Sequence, residues 1–336
     1  MKVLAGDIGG TKTWLRIVDA SDGAVLFERR YASANYAGLA PMVQDFFAAA
    51  GVAARPLGSA CFGIAGPVMQ HGREQWVNVT NLPWELRSAK LAEELGIPKV
   101  AFINDFQAIG YGIEALRAQD LLPLQDAQAV PRAPRLVIGP GTGLGMGIMV
   151  WQGDRYEPLP SEGGHVDFAP TDTLQVELLN YLMARCDHVS YERVLSGPGL
   201  VTIYEFLREK NPSLASFEEN PPSALLFQGE DIDTAAAISQ EALAGGDATA
   251  TQAVRLFVAI CGAYAGNLAL VGLPFGGVYI SGGIAPKLRE VFTRGDFMRA
   301  FLAKGRMDAL LRRMPVHIIL NPQVGLLGAA LAASRL

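Results

Sequence analysis

The chain has 336 residues, half of them apolar and 18% charged, with a net charge of −5 and a pI near 5.5. That length exceeds one ordinary core and suits two domains, and the composition is that of a globular protein with a large interior. An acidic balance with no basic run longer than Arg29-Arg30 or Arg312-Arg313 argues against a nucleic-acid partner.

MKVLAGDIGG carries one Lys and an apolar run broken at once by Gly and Asp, which marks a first strand and not a signal peptide. VLAGD runs into the turn IGGT, TWLRIVD into the turn SDG, and AVLFERRYA completes an antiparallel meander. LAPMVQDFFAAAG then reads as a helix and SACFGIAG as a buried strand. SAKLAEELG reads as a helix with Ser88 as N-cap and Gly96 as its stop. KVAFI is a buried strand that finishes in Asn104-Asp105, and DFQAIGYGIEALRAQ is the helix after it.

The opening layout returns at residue 135, where RLVIG runs into PGTG, LGMGIMVW into QGD, and RYEPLP follows. An offset of 131 residues sets Gly10-Thr11 on Gly141-Thr142. Helices follow over TLQVELLNYLMARC, GLVTIYEFLREK, DTAAAISQEALAG and ATQAVRLFVAICGAYAGNLALVG, then the strand GGVYI, a helix from Lys287, the strand PVHIIL and a last helix over LLGAALAASRL. Such alternation implies parallel strands with helices on both faces. Residues 211–233 are rich in Pro, Ser and acids and read as an insertion or surface loop. The charge-free stretch between Arg255 and Lys287 is long enough for a membrane span, but its seven glycines, Asn267, Pro274 and Pro286 divide it into a buried helix and a short strand.

Cys61, Cys186 and Cys261 are scattered, odd in number and without CxxC spacing, as expected of reduced thiols in a cytosolic protein. There is no G-x-x-x-x-G-K-[ST], G-x-G-x-x-G, G-x-S-x-G or H-E-x-x-H. What remains is a pair of glycine turns. In GDIGGT (Gly6, Asp7, Ile8, Gly9, Gly10, Thr11) and in GPGTG with Gly141, Thr142 and Gly143, backbone N–H groups can converge on an anion with no Cβ in the way. One such turn is what any hairpin needs; two at the start of similar halves point to a polyphosphate. Asp7 has no carboxylate counterpart in the second half and suits a magnesium ion held through water. Lys12 either adds charge to the phosphates or is a solvated lysine.

Asn104 and Asp105, Glu162 and His165 within SEGGH, and Glu192 within YER are polar residues on turns, of the types that hydrogen-bond adjacent hydroxyls. Simpler roles stand beside this one: a helix N-cap for Asp105, a surface turn for Glu162, a salt bridge for Glu192 and a core position for His165.

With these residues in view the chain resembles the bacterial glucokinases, in the group similar to the enterobacterial enzyme. The stretches GDIGGT, FINDF, GTGLG, SEGGHVDFAP, YERVLSGPGL, GNLAL, VYISGGI and GLLGAA carry the likeness nearly end to end. The resemblance implies an α/β, duplicated ribonuclease-H-like (actin-like ATPase) fold of two domains with a central cleft, residues 1–115 with 320–336 forming the smaller and 116–319 the larger. It implies glucose hydroxyls held by Asn104, Asp105, Glu162, His165 and Glu192, with Asp105 as general base. It implies ATP over residues 6–12 and 141–143 with its adenosine side near Gly282 and Gly283, magnesium dependence, a cytoplasmic location and a homodimer. Lys12 stands where many relatives carry Asn, and the cysteine-rich zinc motif of the ROK sugar kinases is missing. Other readings on the same fold are a kinase of fructose, mannose or an amino sugar, a sugar-sensing regulator, which would need room for a helix-turn-helix before Val3, and an assembly-forming actin relative.

Overall fold

The structure, a computed structural model, describes residues 1–51, 56–80, 82–159, 161–211 and 234–336, so nearly all of the 211–233 insertion lies outside the described residues. The chain forms two compact units, one of Met1–Asp120, Gln152–Pro160 and Asn321–Leu336, the other of Leu121–Trp151 and Ser161–Leu320.

The first unit is built on a sheet ordered β3-β2-β1-β4-β8, from β1 (Lys2–Ile8), β2 (Lys12–Asp19), β3 (Val25–Ala32), β4 (Leu57–Ile64) and β8 (Val100–Asn104). β1, β4 and β8 run parallel, β2 runs antiparallel to β1, and β3, antiparallel to β2, again follows the direction of β1. Side chains alternate across a strand, and β1 is covered on both faces. Leu4 and Ile8 pack with Leu39, Met42, Phe46 and Leu91 from the helices Leu39–Ala50 and Ser88–Leu95. Val3 and Ala5 pack with Leu326, Ala329 and Ala333 of the closing helix Val324–Ser334. Double coverage explains why β1 and β4 read as apolar runs, whereas the edge strand β3 carries Glu28, Arg29 and Arg30.

A small sheet of β5 (Met69–His71), β6 (Glu74–Asn78) and β7 (Glu85–Arg87) adds to this unit. Ser88 does not cap its helix. Its hydroxyl accepts the Gln75 N–H of β6 at 3.0 Å, while Gly96 closes the same helix in the left-handed conformation at φ 61°. The helix begun at Asp105 ends at Gly112, shorter than its apolar pattern predicts, and the chain goes on through 3₁₀ turns. It crosses the closing helix so closely that a Cβ at Gly112 would lie 2.0 Å from the Val324 carbonyl, and one at Gly328 1.7 Å from that of Ala108. β12 (Arg155–Leu159) counts with this unit, where the Tyr111 hydroxyl donates to Glu157 at 2.5 Å.

In the second unit strands run in the order β11-β10-β13-β14-β9, from β9 (Leu121–Gln125), β10 (Arg135–Pro140), β11 (Leu144–Gln152), β13 (Val278–Ile280) and β14 (Val316–Ile319). The hairpin β10–β11 followed by parallel β13 and β14 repeats the hairpin β1–β2 followed by parallel β4 and β8. The copies differ at the turn: Ile8 faces Thr13 across four residues, Pro140 faces Leu144 across three. The apolar helix Ala248–Gly272 has the length and composition of a membrane span, yet most of it is buried in this unit's core. Cβ atoms at Gly262 and Gly266 would meet the carbonyls of Phe297 and Phe301 at 2.1 and 2.5 Å, so these glycines let the helix Asp296–Leu302 lie against it.

Candidate active site

In the first unit, β1 delivers Gly6 and Asp7 to the carboxyl end of the parallel strands. A Cβ at Gly6 would sit 2.4 Å from the Phe62 ring, so that glycine is required for packing. The turn beyond is closed by the Gly9 N–H donating to the Lys12 carbonyl at 3.1 Å. Ser33 fixes it from outside: its hydroxyl donates to the Gly9 carbonyl at 2.8 Å and its N–H to the Thr11 carbonyl at 3.0 Å. Among the described residues no acceptor meets the Gly10 or Thr11 N–H, and Thr11 and Lys12 are exposed. Ser33 is a positioning residue that no motif marks.

Asn104 ends β8 and caps the helix Asp105–Gly112. Its Oδ1 accepts the Phe106 N–H at 2.9 Å, and its N–H donates to Gln107 Oε1 at 3.0 Å, a reciprocal capping pair. Its Nδ2 donates to the Gly66 carbonyl at 3.2 Å. The simpler role weighed for Asp105 therefore falls to Asn104. Asp105 is the first helical residue, with Oδ1 accepting the Phe106 N–H at 2.9 Å. Its charge reaches Asp7: burial first, and then Asp105, push the Asp7 carboxyl up to about 6. The closing helix approaches the same carboxylate, since a Cβ at Gly325 would lie 3.6 Å from Asp7 Oδ2. Two interacting carboxylates beside an N–H-lined turn form a pocket of negative charge suited to a hard cation or to accepting a proton.

In the second unit the turn over Gly141, Thr142 and Gly143 is closed by the Gly141 N–H donating to the Gly143 carbonyl at 2.8 Å. It is held by the Gly197 N–H donating to the Gly141 carbonyl at 2.8 Å. Thr142 is exposed and its N–H meets no acceptor among the described residues. Ser281-Gly282 abuts the end of β10: the buried Ser281 donates its N–H to Ile138, and Gly282, at φ 86°, leaves no room for a Cβ, 2.4 Å from the Pro140 carbonyl. Gly283 is exposed, with open space where a Cβ would stand.

Glu192 joins this turn to the hydroxyl-binding candidates. Its Oε2 accepts the Leu144 N–H at 2.8 Å, and its Oε1 lies 3.9 Å from His165 Nδ1. Glu162 and His165 are exposed, so His165 is no core histidine. The loop carrying them is pressed onto β11: a Cβ at Gly164 would fall 1.9 Å from the Leu144 carbonyl. Beneath it the buried Tyr264 donates its hydroxyl to the Gly163 carbonyl at 2.8 Å, and its ring lies 4.3 Å from that of Tyr191. Asn267 Nδ2 in turn donates to the Tyr191 hydroxyl at 3.0 Å. No sequence motif marks Tyr264 or Asn267 as a site residue, although Asn267 lies in the GNLAL stretch shared with the family. The unit thus brings Gly141–Gly143, Gly282, Glu192 and His165 together, and sets Glu162 on the same loop as His165.

The glucokinase family model matches residues 4–336. The glucokinase of Nostoc sp. is 48% identical over 99% of this chain and 99% of its own. The crystal structure of a glucokinase from an Antarctic psychrotroph superposes with a TM-score of 0.83 at 27% identity, over 100% of this chain and 99% of the other. A ROK family glucokinase from Streptomyces griseus, crystallised with glucose and AMPPNP, shares the fold with a TM-score of 0.65 at 24% identity and covers 100% of each chain. The fold is that of the actin-like ATPases, and the chain belongs to the glucokinase family.

Proposed function

We propose that this chain transfers the γ-phosphoryl group of ATP to the 6-hydroxyl of D-glucose, with Asp105 as the general base. Asn104, Glu162, His165 and Glu192 bind the sugar hydroxyls. In the turns of residues 9–12 and 141–143 the open amides of Gly10, Thr11 and Thr142 bind phosphate oxygens, with Lys12 as an added positive charge, and Gly282-Gly283 lies on the adenosine side. Membership of a family whose named relatives are glucokinases supports the substrate, and the AMPPNP bound to the Streptomyces griseus protein supports the donor.

The observation that carries the reading is the position of Asp105: at the carboxyl end of a parallel strand, with capping delegated to Asn104. The 6-hydroxyl oxygen attacks the γ-phosphorus, its proton passes to Asp105, and the bond from that phosphorus to the β–γ bridging oxygen breaks to release ADP. A positioned carboxylate contributes about 10²–10⁴-fold; alignment of the two substrates supplies much of the rest.

The residues present fit a magnesium ion. Asp7 and Asp105 offer hard oxygens whose mutual repulsion a cation relieves. No group of three or more ligating side chains occurs among the described residues, which suits an ion held largely through water, as Mg²⁺ prefers. Asp7 would hold it, and when bound it would neutralise phosphate charge. The reading includes a cytoplasmic homodimer, supported by the family likeness; sedimentation at micromolar concentration tests the dimer.

The test is ATP-dependent ADP release by purified protein with glucose, fructose, mannose and N-acetylglucosamine in parallel. Turnover with glucose well above the others is expected, and absence of glucose turnover would overturn the reading.

A further inference from the structure

β8 is the edge strand of the first unit's sheet, and its last residue precedes Asp105. Alternate residues of an edge strand turn their N–H and C=O outward. Here the Lys99 carbonyl accepts the Ala60 N–H of β4 at 2.8 Å, and the alternation along this parallel pair turns Ala101 and Ile103 toward β4 and Phe102 and Asn104 outward. Neither is left open. Gln75 Oε1 accepts the Phe102 N–H at 2.8 Å and Gln75 Nε2 donates to the Phe102 carbonyl at 3.1 Å, so one side-chain amide stands in for the missing strand. The Asn104 N–H, next along the same edge, goes to Gln107. Gln75 is fixed in turn, because its own N–H donates to the hydroxyl of the buried Ser88.

We propose that Gln75 is a positioning residue for Asp105: it fixes the height and pleat of β8 two residues before Asn104 and so sets where the helix beginning at Asp105 starts. The inference rests on the reading of Asp105 as the base. A misplacement near 1 Å costs about 10²-fold in rate. Replacing Gln75 by an apolar side chain leaves two backbone groups of a buried residue to find water, and the strand end shifts toward it.

Gln75→Leu in the full chain should lower kcat about 10- to 100-fold, with KM for ATP changed less than about twofold, because the residues 9–12 turn is held separately by Ser33. Placed on Asp105→Asn, the same substitution should cause no further loss, since the base it positions is gone. An equal loss in both backgrounds marks a general structural role and overturns the proposal, as does wild-type kcat in Gln75→Leu. Gln75→Glu keeps the acceptor for the Phe102 N–H but sets an oxygen against the Phe102 carbonyl. It should fall between the wild type and Gln75→Leu, and it serves if the leucine variant does not fold. Amide exchange needs no turnover: protection at Asn104 and Phe106 should drop in either variant, and unchanged protection overturns the positioning. An inactive wild-type chain would sink the functional reading while exchange still decides this one.

Discussion

Glu192 accepts the Leu144 N–H at 2.8 Å with one carboxylate oxygen and faces His165 at 3.9 Å with the other. It is thus a brace between a glycine turn and a hydroxyl-binding loop, more than the plain salt bridge its sequence context also allowed. Glu192→Ala should leave the N–H of the buried Leu144 unpaired, a loss of about 1–3 kcal/mol, and raise KM for ATP and for glucose together. Glu192→Gln keeps an acceptor for that N–H. It should restore KM for ATP while KM for glucose stays raised. Steady-state kinetics with each substrate varied separates the two; a change in glucose KM alone would show that the brace to the turn does not matter.

Asp105→Asn should bind glucose nearly normally and lose about 10²–10⁴-fold in kcat. Asn104→Ala should behave differently, because the cap fails: about 1 kcal/mol of stability goes with it, so Tm falls along with kcat. Calorimetry beside the assay tells a lost base from a lost cap. Near-wild-type turnover in Asp105→Asn would remove Asp105 from the mechanism.

The Asp7 carboxyl, raised from its ordinary 3.8 to about 6 chiefly by burial and then by the Asp105 charge, makes the apo protein's stability depend on pH. Between those values the native state holds a proton that the unfolded chain has lost. The stability linked to Asp7 is therefore fully present below about pH 4 and declines as pH rises through about 6. Asp7→Asn should be the more stable form at pH 7.5 by up to about 3 kcal/mol, an advantage that vanishes near pH 4, although it loses activity. Melting curves without divalent cations check this. Equal pH dependence in both forms would mean that Asp7 is not the group responsible.

The glycine turns, the order of strands around them and the polar residues at FIND and SEGGH were legible because apolar alternation and glycine punctuation are local. The small sheet of residues 69–87 and the return of residues 152–160 to the first unit leave no such mark, since both depend on distant partners. Ser88 shows why capping rules mislead: a serine before an apolar run is an N-cap unless a neighbouring strand offers it an N–H, as Gln75 does. Ser33, Gln75 and Tyr264 escaped notice because each acts through a single hydroxyl or amide on backbone far away in sequence.

Tyr264 gives the sharpest test of that hidden layer. Its hydroxyl is the donor to the Gly163 carbonyl, and its ring, fully buried, supports Tyr191 next to Glu192. Tyr264→Phe keeps the ring and removes only the donor, leaving a carbonyl to seek water at the base of the loop that carries Glu162 and His165. The expected loss in stability is about 1 kcal/mol, with KM for glucose raised about 3- to 10-fold as the loop loosens. KM for ATP should hold, because the turn at Gly141 keeps its bonds to Gly197 and through Leu144 to Glu192. Kinetics with Tyr264→Phe and Asn267→Ala side by side read the platform from both ends. If both variants keep the wild-type glucose KM, the loop holds its shape without these two hydroxyl bonds, and its geometry comes from ring packing and from Gly164 pressed on Leu144.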